Sequence, residues 1–288
     1  MRLLIIALAL IASTIIAHAE DIRVINRFQP SSTSFQAMSM FLKKANSLQT
    51  KYNFIPSSVP GAVGENADQR ALVLARIGSK VVWFGPVSSF TLNRFELGNT
   101  YDRDNDFYFI RSFLTTYQSI VVSKTSGIKS IDELVTHLKS KDKNFYGVPL
   151  EIGAAKFLNN IFARHYKVEV SMIKYKDFGE ITMALNNKEI DYSIFTHPAV
   201  NSSLVEIELT KQNRNTIPNF QYETISSFAV PKEIIEFGKE IRPLFVSLCN
   251  DAELVEFYKK VNYEDTCYDD EFMKQRIKNE VELIGKFQ

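Results

Sequence analysis

Residues 52–84 read YNFIPSSVPGAVGENADQRALVLARIGSKVVWF and contain a complete strand, loop, helix and second strand. A strand, a crossover helix and another strand in this order are typical of a βαβ unit in a largely parallel sheet. The predicted elements are the strand Tyr52–Ile55, the loop Pro60–Gly64, a helix that begins at Glu65 or Asn66 and stops at Gly78, and the strand Val81–Phe84.

The same alternation of β-rich and amphipathic runs continues on both sides of this unit. Upstream, the strand Ile22–Ile25 precedes a Ser/Thr-rich turn and a helix whose apolar face runs from Phe35 to Leu48. Ser130 and Glu133 predict a capping box, in which each side chain satisfies an N–H group at the helix start. Pro231 stands at a favoured first-turn position of a helix. Further strands are predicted near 119–122, 145–148, 168–175, 190–195, 205–209 and 225–230, and C-terminal helices near 232–248, 252–260 and 270–286.

The composition indicates an ordered globular protein. The chain has 288 residues, of which 45% are hydrophobic and 23% charged, with only 11 Gly and 9 Pro. Its 34 basic and 33 acidic residues give a net charge of +1, so no broad positive field favours a nucleic acid or an anionic membrane. The length suits two domains of about 100 to 150 residues each. Because no low-complexity linker separates them, we expect crossing strands to join the domains.

The first 19 residues predict a cleavable signal peptide, residues 1–19. Arg2 supplies the positive start, Leu3–Ala17 the apolar run, and Ala17-His18-Ala19 a cleavage site before Glu20. The alternative is a membrane anchor, but this apolar run falls short of the roughly 20 residues that cross a bilayer. No Cys lies in or just after the run, which argues against a lipid anchor. We therefore expect a periplasmic protein whose mature net charge is zero, because Arg2 is the only charged residue removed.

Export would also make the two cysteines, Cys249 and Cys267, capable of forming a disulfide. They are separated by 18 positions and lie between predicted helices. A bridge and two separate thiols are both compatible with this spacing.

The sequence contains none of the familiar motifs of metal or nucleophilic catalysis. The histidines His18, His137, His165 and His197 are isolated, without a His-Glu-x-x-His motif or a Cys/His cluster. A Gly-x-Ser-x-Gly elbow and a Walker loop are also missing. We therefore expect no catalytic residues, no metal and no cofactor, although His197 follows a predicted strand end where a ligand contact is conceivable.

The glycines of the loop after the second strand have a physical use of their own. Gly61 and Gly64 permit a positive φ and a close backbone approach, so that N–H groups at a helix start can face a cleft. A purely structural start of the helix is the alternative.

Three segments, taken in order, resemble the Bug-type extracytoplasmic solute-binding proteins of tripartite tricarboxylate transporters. The first is Asp21–Ile25 with the Pro/Ser turn after it, and the second is Pro60–Ala67, which is similar to the family's P-G-A-x-G loop and helix start. The third spans Ser119–Pro198 and contains the segments Ile128–Leu134, Phe145–Gly147, Tyr175–Lys176 and Leu185–Asp191.

The resemblance implies an α/β fold with the two lobes of a type II periplasmic-binding protein, which close over a small ligand at a hinge. One lobe would comprise residues 20–118 and 226–288, and the other residues 119–225. In this family, backbone amides, small hydroxyl side chains and ordered waters hold a carboxylate. Carried over by position, the ligand-binding residues are Ser31, Ser32, Thr33, Ser34, Gly61, Ala62, Val63, Gly64 and Ser88 in one lobe, and Ile152, Gly153, Ala154 and Thr196 in the other.

The residues themselves agree with this placement. Each group follows a predicted strand, where ligands of open α/β sheets bind, and three groups lie at helix starts, where free N–H groups favour anions.

The sequence departs from the family pattern at two places. The first loop of the family is usually glycine-rich with an acidic residue near its end, whereas Ser31–Phe35 has neither.

The second departure is Glu151, which stands at the start of a predicted helix in the second lobe. If it faces the cleft, its charge disfavours a plain dicarboxylate and favours a zwitterion, a cation or an aromatic acid. If it faces outward, it is an ordinary acidic residue at a helix start. The sequence leaves both alternatives open.

From these features we expect a monomeric, non-enzymatic receptor that captures a small organic acid and delivers it to the membrane subunits of a tripartite transporter. One alternative keeps the fold and makes the protein a sensor input that presents its ligand to a membrane kinase. Another is an exported enzyme on the same fold, for which Glu151 and His197 would be the residues to test. We expect no nucleic-acid partner.

Overall fold

The computed structural model describes residues 19–97, 105–148, 154–176, 178–195, 202–208, 223–261 and 263–287. Within these residues the chain forms two mixed β-sheets. The first sheet contains β1 (Glu20–Asn26), β2 (Tyr52–Ser58), β3 (Val81–Pro86), β4 (Phe107–Tyr117), β10 (Glu223–Pro231) and β11 (Glu264–Asp265), and the second contains β5 (Ser119–Ser123), β6 (Phe145–Val148), β7 (Ser171–Lys174), β8 (Tyr192–Phe195) and β9 (Leu204–Glu208). The strand order is β11-β4-β10-β3-β1-β2 in the first sheet and β7-β6-β8-β5-β9 in the second.

The helices of the described residues flank these sheets. They are α1 (Thr33–Ser47), α2 (Glu65–Arg76), α3 (Leu92–Leu97), α4 (Ile131–Lys139), α5 (Ala154–Tyr166), α6 (Phe178–Asn186), α7 (Ile235–Ser247), α8 (Ala252–Lys260) and α9 (Asp270–Phe287). Short 3-10 turns occur at Ala62–Gly64, Val87–Ser89, Lys124–Ser126 and Lys232–Ile234. None of the helices in the described ranges has the length and apolar character needed to cross a membrane.

The prediction of largely parallel sheets is correct only for the βαβ parts. In the first sheet β1 is parallel to β2 and β3, and in the second β6 is parallel to β7 and β8. The remaining strands pair antiparallel: β10 with β3 and β4, β11 with β4, and β5 with β8 and β9. The sheets are mixed because strands outside the βαβ units complete them.

Buried apolar side chains cover both faces of both sheets. In the first sheet, one face packs against α1, α7 and α8, and the other against α2 and α9. In the second sheet, α4 and α5 cover one face and α6 the other. The cluster that packs against α1, α7 and α8 is rich in aromatic rings: the Phe41 ring lies 4.8 Å from Phe228 and 5.0 Å from Phe113, measured between centroids. Each fully buried Phe contributes on the order of 2 kcal/mol.

Helix α1 shows how the sequence pattern produces one of these elements. Ser32 precedes the helix, and its hydroxyl accepts a hydrogen bond from the Phe35 N–H at 3.2 Å, which satisfies one of the free donors at the helix start. The buried residues recur every three or four positions, which places them on one face: Ala37, Met38, Phe41, Leu42 and Ala45. The predicted face ends early, because Leu48 is the C-cap residue and is 54% exposed.

The capping box at α4 forms with one change. The Ser130 hydroxyl accepts from the Glu133 N–H at 3.2 Å, as predicted. The Glu133 carboxylate accepts from the N–H of Lys129 at 2.6 Å, one residue before the predicted donor. Pro231 is likewise displaced by about one turn from its predicted place, since it ends β10 and precedes a 3-10 turn.

Strand β4 is absent from the sequence-based prediction. Its residues, FYFIRSFLTTY, are almost all buried and show no alternation of apolar and polar positions. A charged residue, Arg111, interrupts the apolar run, yet its side chain is fully buried. Arg111 donates to the carbonyls of Ser112, Phe245 and Thr266 at 2.7, 3.1 and 2.7 Å and forms an ion pair with Asp265.

Cys249 and Cys267 are paired as a disulfide, with their Cα atoms 6.0 Å apart. Cys249 lies just after α7, and Cys267 lies between β11 and α9. The bridge thus ties the end of one helix to the segment that leads into the last one.

Candidate ligand-binding site

Both sheets contain the same three-strand arrangement. In the first, β1 lies between β2 and β3, and the chain reaches one neighbour through α1 and the other through α2. In the second, β6 lies between β7 and β8, with α5 and α6 as the connections. In each sheet the second connection crosses back over the central strand, so the strand order reverses there. Such a topological switch point opens a crevice at the carboxyl ends of the strands, where α/β proteins bind ligands. The topology therefore marks the carboxyl ends of β1 and β3, and of β6 and β8.

Arg27 is the first residue after β1 and lies at the crevice of the first sheet. Its Nη1 donates a hydrogen bond to Ser89 Oγ at 3.3 Å, and Ser89 is fully buried in the turn that follows β3. On another side, the guanidinium packs against Gly64, where an added Cβ would lie 2.7 Å from it. One cation therefore contacts the segments that follow β2 and β3.

The backbone around Arg27 is fixed by its neighbours. Asn26 is fully buried; its Nδ2 donates to the Ser57 carbonyl at 3.1 Å and its Oδ1 accepts from the Phe28 N–H at 3.0 Å. The Ser58 hydroxyl donates to the Phe28 carbonyl at 2.7 Å. An Asn side chain that bonds the backbone two residues ahead closes a tight turn. The turn that carries Arg27 is thus held without help from the Arg27 side chain.

The loop Gly61–Gly64 has the backbone geometry that its glycines predict. Gly61 has a φ of 110° and Gly64 a φ of 98°, and Ala62 adopts a φ of 46° between them. The Gly64 N–H donates to the Gly61 carbonyl at 2.9 Å, so it closes the 3-10 turn. Position 64 needs a glycine for two reasons: the backbone there is left-handed, and Arg27 lies too close for a side chain. Val63 lies within this turn.

Two of the four predicted site residues in the Ser/Thr-rich turn, Ser32 and Ser34, make contacts that stabilise the fold. Ser32 caps α1, and Ser34 Oγ lies 2.7 Å from the hydroxyl of Tyr263, which is 4% exposed. Burial raises the pKa of Tyr263 to about 12, against the effect of the Ser34 hydrogen bond, so the phenol stays protonated at neutral pH. Ser31 is exposed, and Thr33 is the first residue of α1.

The remaining predicted residues divide between the described and undescribed parts of the chain. Ser88 lies half-buried in the turn after β3, beside the residue that contacts Arg27, and Ala154 is the first residue of α5. Ile152, Gly153 and Thr196 lie outside the described residues, as do Glu151 and His197. In the sequence they follow β6 and β8, the strands that flank the crevice of the second sheet.

Sequence reasoning missed Arg27, Asn26 and Ser89. The signal for Arg27 is a charged residue two positions after the predicted strand Ile22–Ile25 and before a loop predicted to bind the ligand. Asn26 and Ser89 carry no such signal, because their roles depend on contacts with Ser57 and Arg27. Within the described ranges, no group of three or more His, Cys, Asp or Glu side chains is placed to hold a metal ion.

Comparison with known proteins gives structural neighbours and no sequence relatives. No protein-family model and no curated protein matches the sequence. A Rhodopseudomonas palustris protein solved with adipate is 14% identical, with a TM-score of 0.76, over 93% of this chain and 96% of its own. MatC from the same organism, solved with bound malate, is 11% identical, with a TM-score of 0.72, over 93% and 98%.

The periplasmic binding protein BugD is also similar, with 11% identity and a TM-score of 0.72 over 93% of this chain and 96% of its own. At this level of identity the likeness concerns the fold, and it extends over nearly the whole length of both proteins. The chain therefore has the two-lobed α/β fold of the periplasmic binding proteins.

Proposed function

We propose that this protein is an extracytoplasmic receptor that binds a small carboxylate between its two sheets and hands it, unchanged, to the membrane subunits of a transporter. The observation that carries the proposal is the convergence of Arg27, Gly64 and Ser89 at the topological switch point of the first sheet. The structural neighbours solved with adipate and with malate support a carboxylate as the ligand.

The groups found at this position suit the binding of a ligand without a chemical reaction. Among the neighbours of the Arg27 guanidinium are the Ser89 hydroxyl and Gly64, which suit hydrogen bonding and a close approach. The structural neighbour BugD is described as a periplasmic binding protein, which favours a receptor over an enzyme.

Closure of the two lobes would bring the second crevice onto the ligand. The chain passes from β4 in the first sheet to β5 in the second through one residue, Gln118, which is fully buried and donates to Thr224 Oγ1 at 2.8 Å. A short crossing of this kind can act as a hinge, where a few residues absorb the φ/ψ changes of domain closure. A ligand that contacts both lobes stabilises the closed state by its differential affinity for that state.

Export and delivery rest on the N-terminal sequence and on the fold. The predicted signal peptide, residues 1–19, would place the protein in the periplasm, where the neighbour BugD is also described. Membrane transporter subunits are the partner class that this location and fold suggest.

A thermal-shift screen tests the proposed function. The probes are adipate, malate, glutamate and benzoate, with glucose as the uncharged control and putrescine as the cationic control. A ligand at 100 times its Kd stabilises the folded state by about 2.7 kcal/mol. We expect at least one carboxylate to raise the melting temperature while glucose and putrescine do not. If none of the four carboxylates changes it, the proposed function is wrong.

A further inference from the structure

We propose that the Arg27 guanidinium binds the carboxylate of the ligand directly, so that the first lobe selects anions by charge and not by backbone amides alone. This inference rests on the proposed function and specifies one of its contacts. It adds a charged side chain to the backbone amides, small hydroxyl side chains and ordered waters that the family resemblance implies.

The position of Arg27 supports this role. It follows the central strand of the βαβαβ unit, and its bond to Ser89 spans the switch point between β1 and β3. This is the place where an open α/β sheet binds its ligand. Arg23, which lies within β1 four residues before Arg27, is exposed and makes a natural comparison.

The surroundings of the guanidinium fix its orientation. Ser89 accepts from Nη1, and Gly64 leaves room for the plane of the group where any side chain would collide with it. A guanidinium has five N–H donors in a planar fork that matches the two oxygens of a carboxylate. Holding the fork in place before the ligand arrives lowers the entropic cost of binding.

A purely structural role for Arg27, in which its side chain only holds the turn, accounts for fewer of these contacts. The turn that carries Arg27 is already closed by the hydrogen bonds of Asn26 and Ser58, neither of which involves the Arg27 side chain. The side chain is half-buried, and therefore lies in an environment where a charge interacts more strongly than in water. A ligand carboxylate would gain that interaction, whereas a neutral sugar or a cation would not.

The test is calorimetric titration of the full-length protein and its variants with each of adipate, malate, glutamate and benzoate that stabilises the wild type. Loss of a hydrogen-bonded charge pair weakens binding by about 10- to 100-fold, so we expect Arg27→Gln to lose affinity by that factor. Arg27→Lys keeps the positive charge but lacks the planar arrangement of N–H donors, and we expect it to recover part of the lost affinity. Arg23→Gln makes the same charge change on an exposed position and should bind within about twofold of the wild type.

The outcomes separate the two proposals. If the wild type binds a carboxylate and Arg27→Gln binds it equally well, the role of Arg27 is refuted and the proposed function stands. If Ser89→Ala reduces affinity as much as Arg27→Gln does, and Arg27→Lys recovers nothing, Arg27 only positions the loop and the inference is also refuted. If the wild type binds none of the four probes, the proposed function and the inference fail together.

Discussion

Gly64 is the residue whose replacement reports most directly on the environment of Arg27. A Cβ at this position would lie 2.7 Å from the Arg27 guanidinium, and the backbone has a φ of 98°. Gly127 has a similar φ of 76°, but a Cβ there would meet nothing within 4 Å. The two glycines therefore share a backbone requirement and differ in steric surroundings.

We expect Gly64→Ala to lower the free energy of unfolding by roughly 1 kcal/mol or more beyond the effect of Gly127→Ala, because overpacking adds to the backbone strain. We also expect only Gly64→Ala to weaken carboxylate binding. Urea denaturation and calorimetry measure the two effects. Equal costs for both variants would mean that Arg27 does not lie against Gly64.

Asp191 is a structural residue of the second lobe, between α6 and β8. Its carboxylate, 5% exposed, lies 2.9 Å from His137 Nε2 and 2.5 Å from Lys141 Nζ, and it accepts from the Phe145 N–H at 2.9 Å. Burial opposes its ionisation, but the hydrogen bonds from Lys141, Phe145 and His137 outweigh burial and lower the pKa of Asp191. The ionised form is therefore the one that stabilises the fold.

We expect Asp191→Asn to cost about 2 kcal/mol at pH 7, the scale of hydrogen bonds to a charged group. Because the folded pKa is lowered, this stabilisation is complete above the unfolded pKa of about 3.9 and is lost as the pH falls through the folded value. Urea denaturation between pH 7 and pH 3 should show the wild type and the variant converging in acid. The exposed Asp142→Asn serves as control, and a constant difference across this range would contradict the assignment.

Single residues also mark the limit of sequence reasoning. Arg111 lies within strand β4 and Arg27 directly follows strand β1, yet Arg111 is fully buried in an ion pair and Arg27 lies at the candidate site. The difference depends on Asp265 and on Ser89, which are distant in the sequence. Side-chain pattern alone cannot distinguish two arginines whose partners are brought together only by the fold.

At the scale of elements, most strands and helices follow from periodicity and caps. The predicted helices at 252–260 and 270–286 correspond closely to α8 and α9. The predicted strand at 168–175 shortens to β7, and β4 is missed because a strand buried on both faces loses its alternation. The predicted lobe boundaries, after 118 and after 225, stay predictions, although β10 already pairs with β4 from Glu223.

Helix α9 contacts the cores of both sheets. Met273 and Ile277 pack into the cluster beside α2, whereas Ile284 belongs to the cluster of the second sheet. Between them, Glu280 accepts a hydrogen bond from Thr91 Oγ1 at 2.6 Å. This helix therefore couples the stability of the two lobes.

We expect Ile284→Ala to lower the free energy of unfolding by roughly 2 to 5 kcal/mol, because it leaves a cavity in a fully buried position. The exposed Lys286→Ala, two residues later, should have little effect. Chemical denaturation followed by both intrinsic fluorescence and circular dichroism provides the measurement. An effect of Ile284→Ala as small as that of Lys286→Ala would show that the end of α9 does not pack on the second sheet.

The Cys249–Cys267 bridge closes a segment of 18 residues that includes α8 and β11. A loop of this length is expected to contribute about 3 kcal/mol by restricting the unfolded chain. Reductant should therefore lower the melting temperature, and alkylation of the unfolded protein should label thiols only after reduction. Two labelled cysteines in the untreated protein, measured by intact mass, would refute the bridge.

At the scale of the whole molecule, the two sheets share one strand arrangement. Each places a central parallel strand, β1 or β6, between two others and opens a crevice at its carboxyl end. The family resemblance predicted this two-lobed fold, and the neighbours that match over 93% of the chain confirm it. The binding contacts were harder to predict, because residues from separate loops form each crevice.

The near-neutral charge of the chain limits how the protein can attract its proposed anionic ligand. A net charge of +1 provides little long-range attraction for an anion, so selectivity must come from groups inside the crevice. Arg27 supplies one such group, and the carboxyl ends of β6 and β8 would supply the contacts of the other lobe.

A crystal structure of the protein grown with the carboxylate that gives the largest thermal shift tests this account most directly. The account predicts one ligand per chain, with a carboxylate within hydrogen-bond distance of Arg27 and with contacts from the segments after β6 and β8. A ligand bound elsewhere on the surface, or a ligand in the crevice whose carboxylate lies away from Arg27, would contradict it.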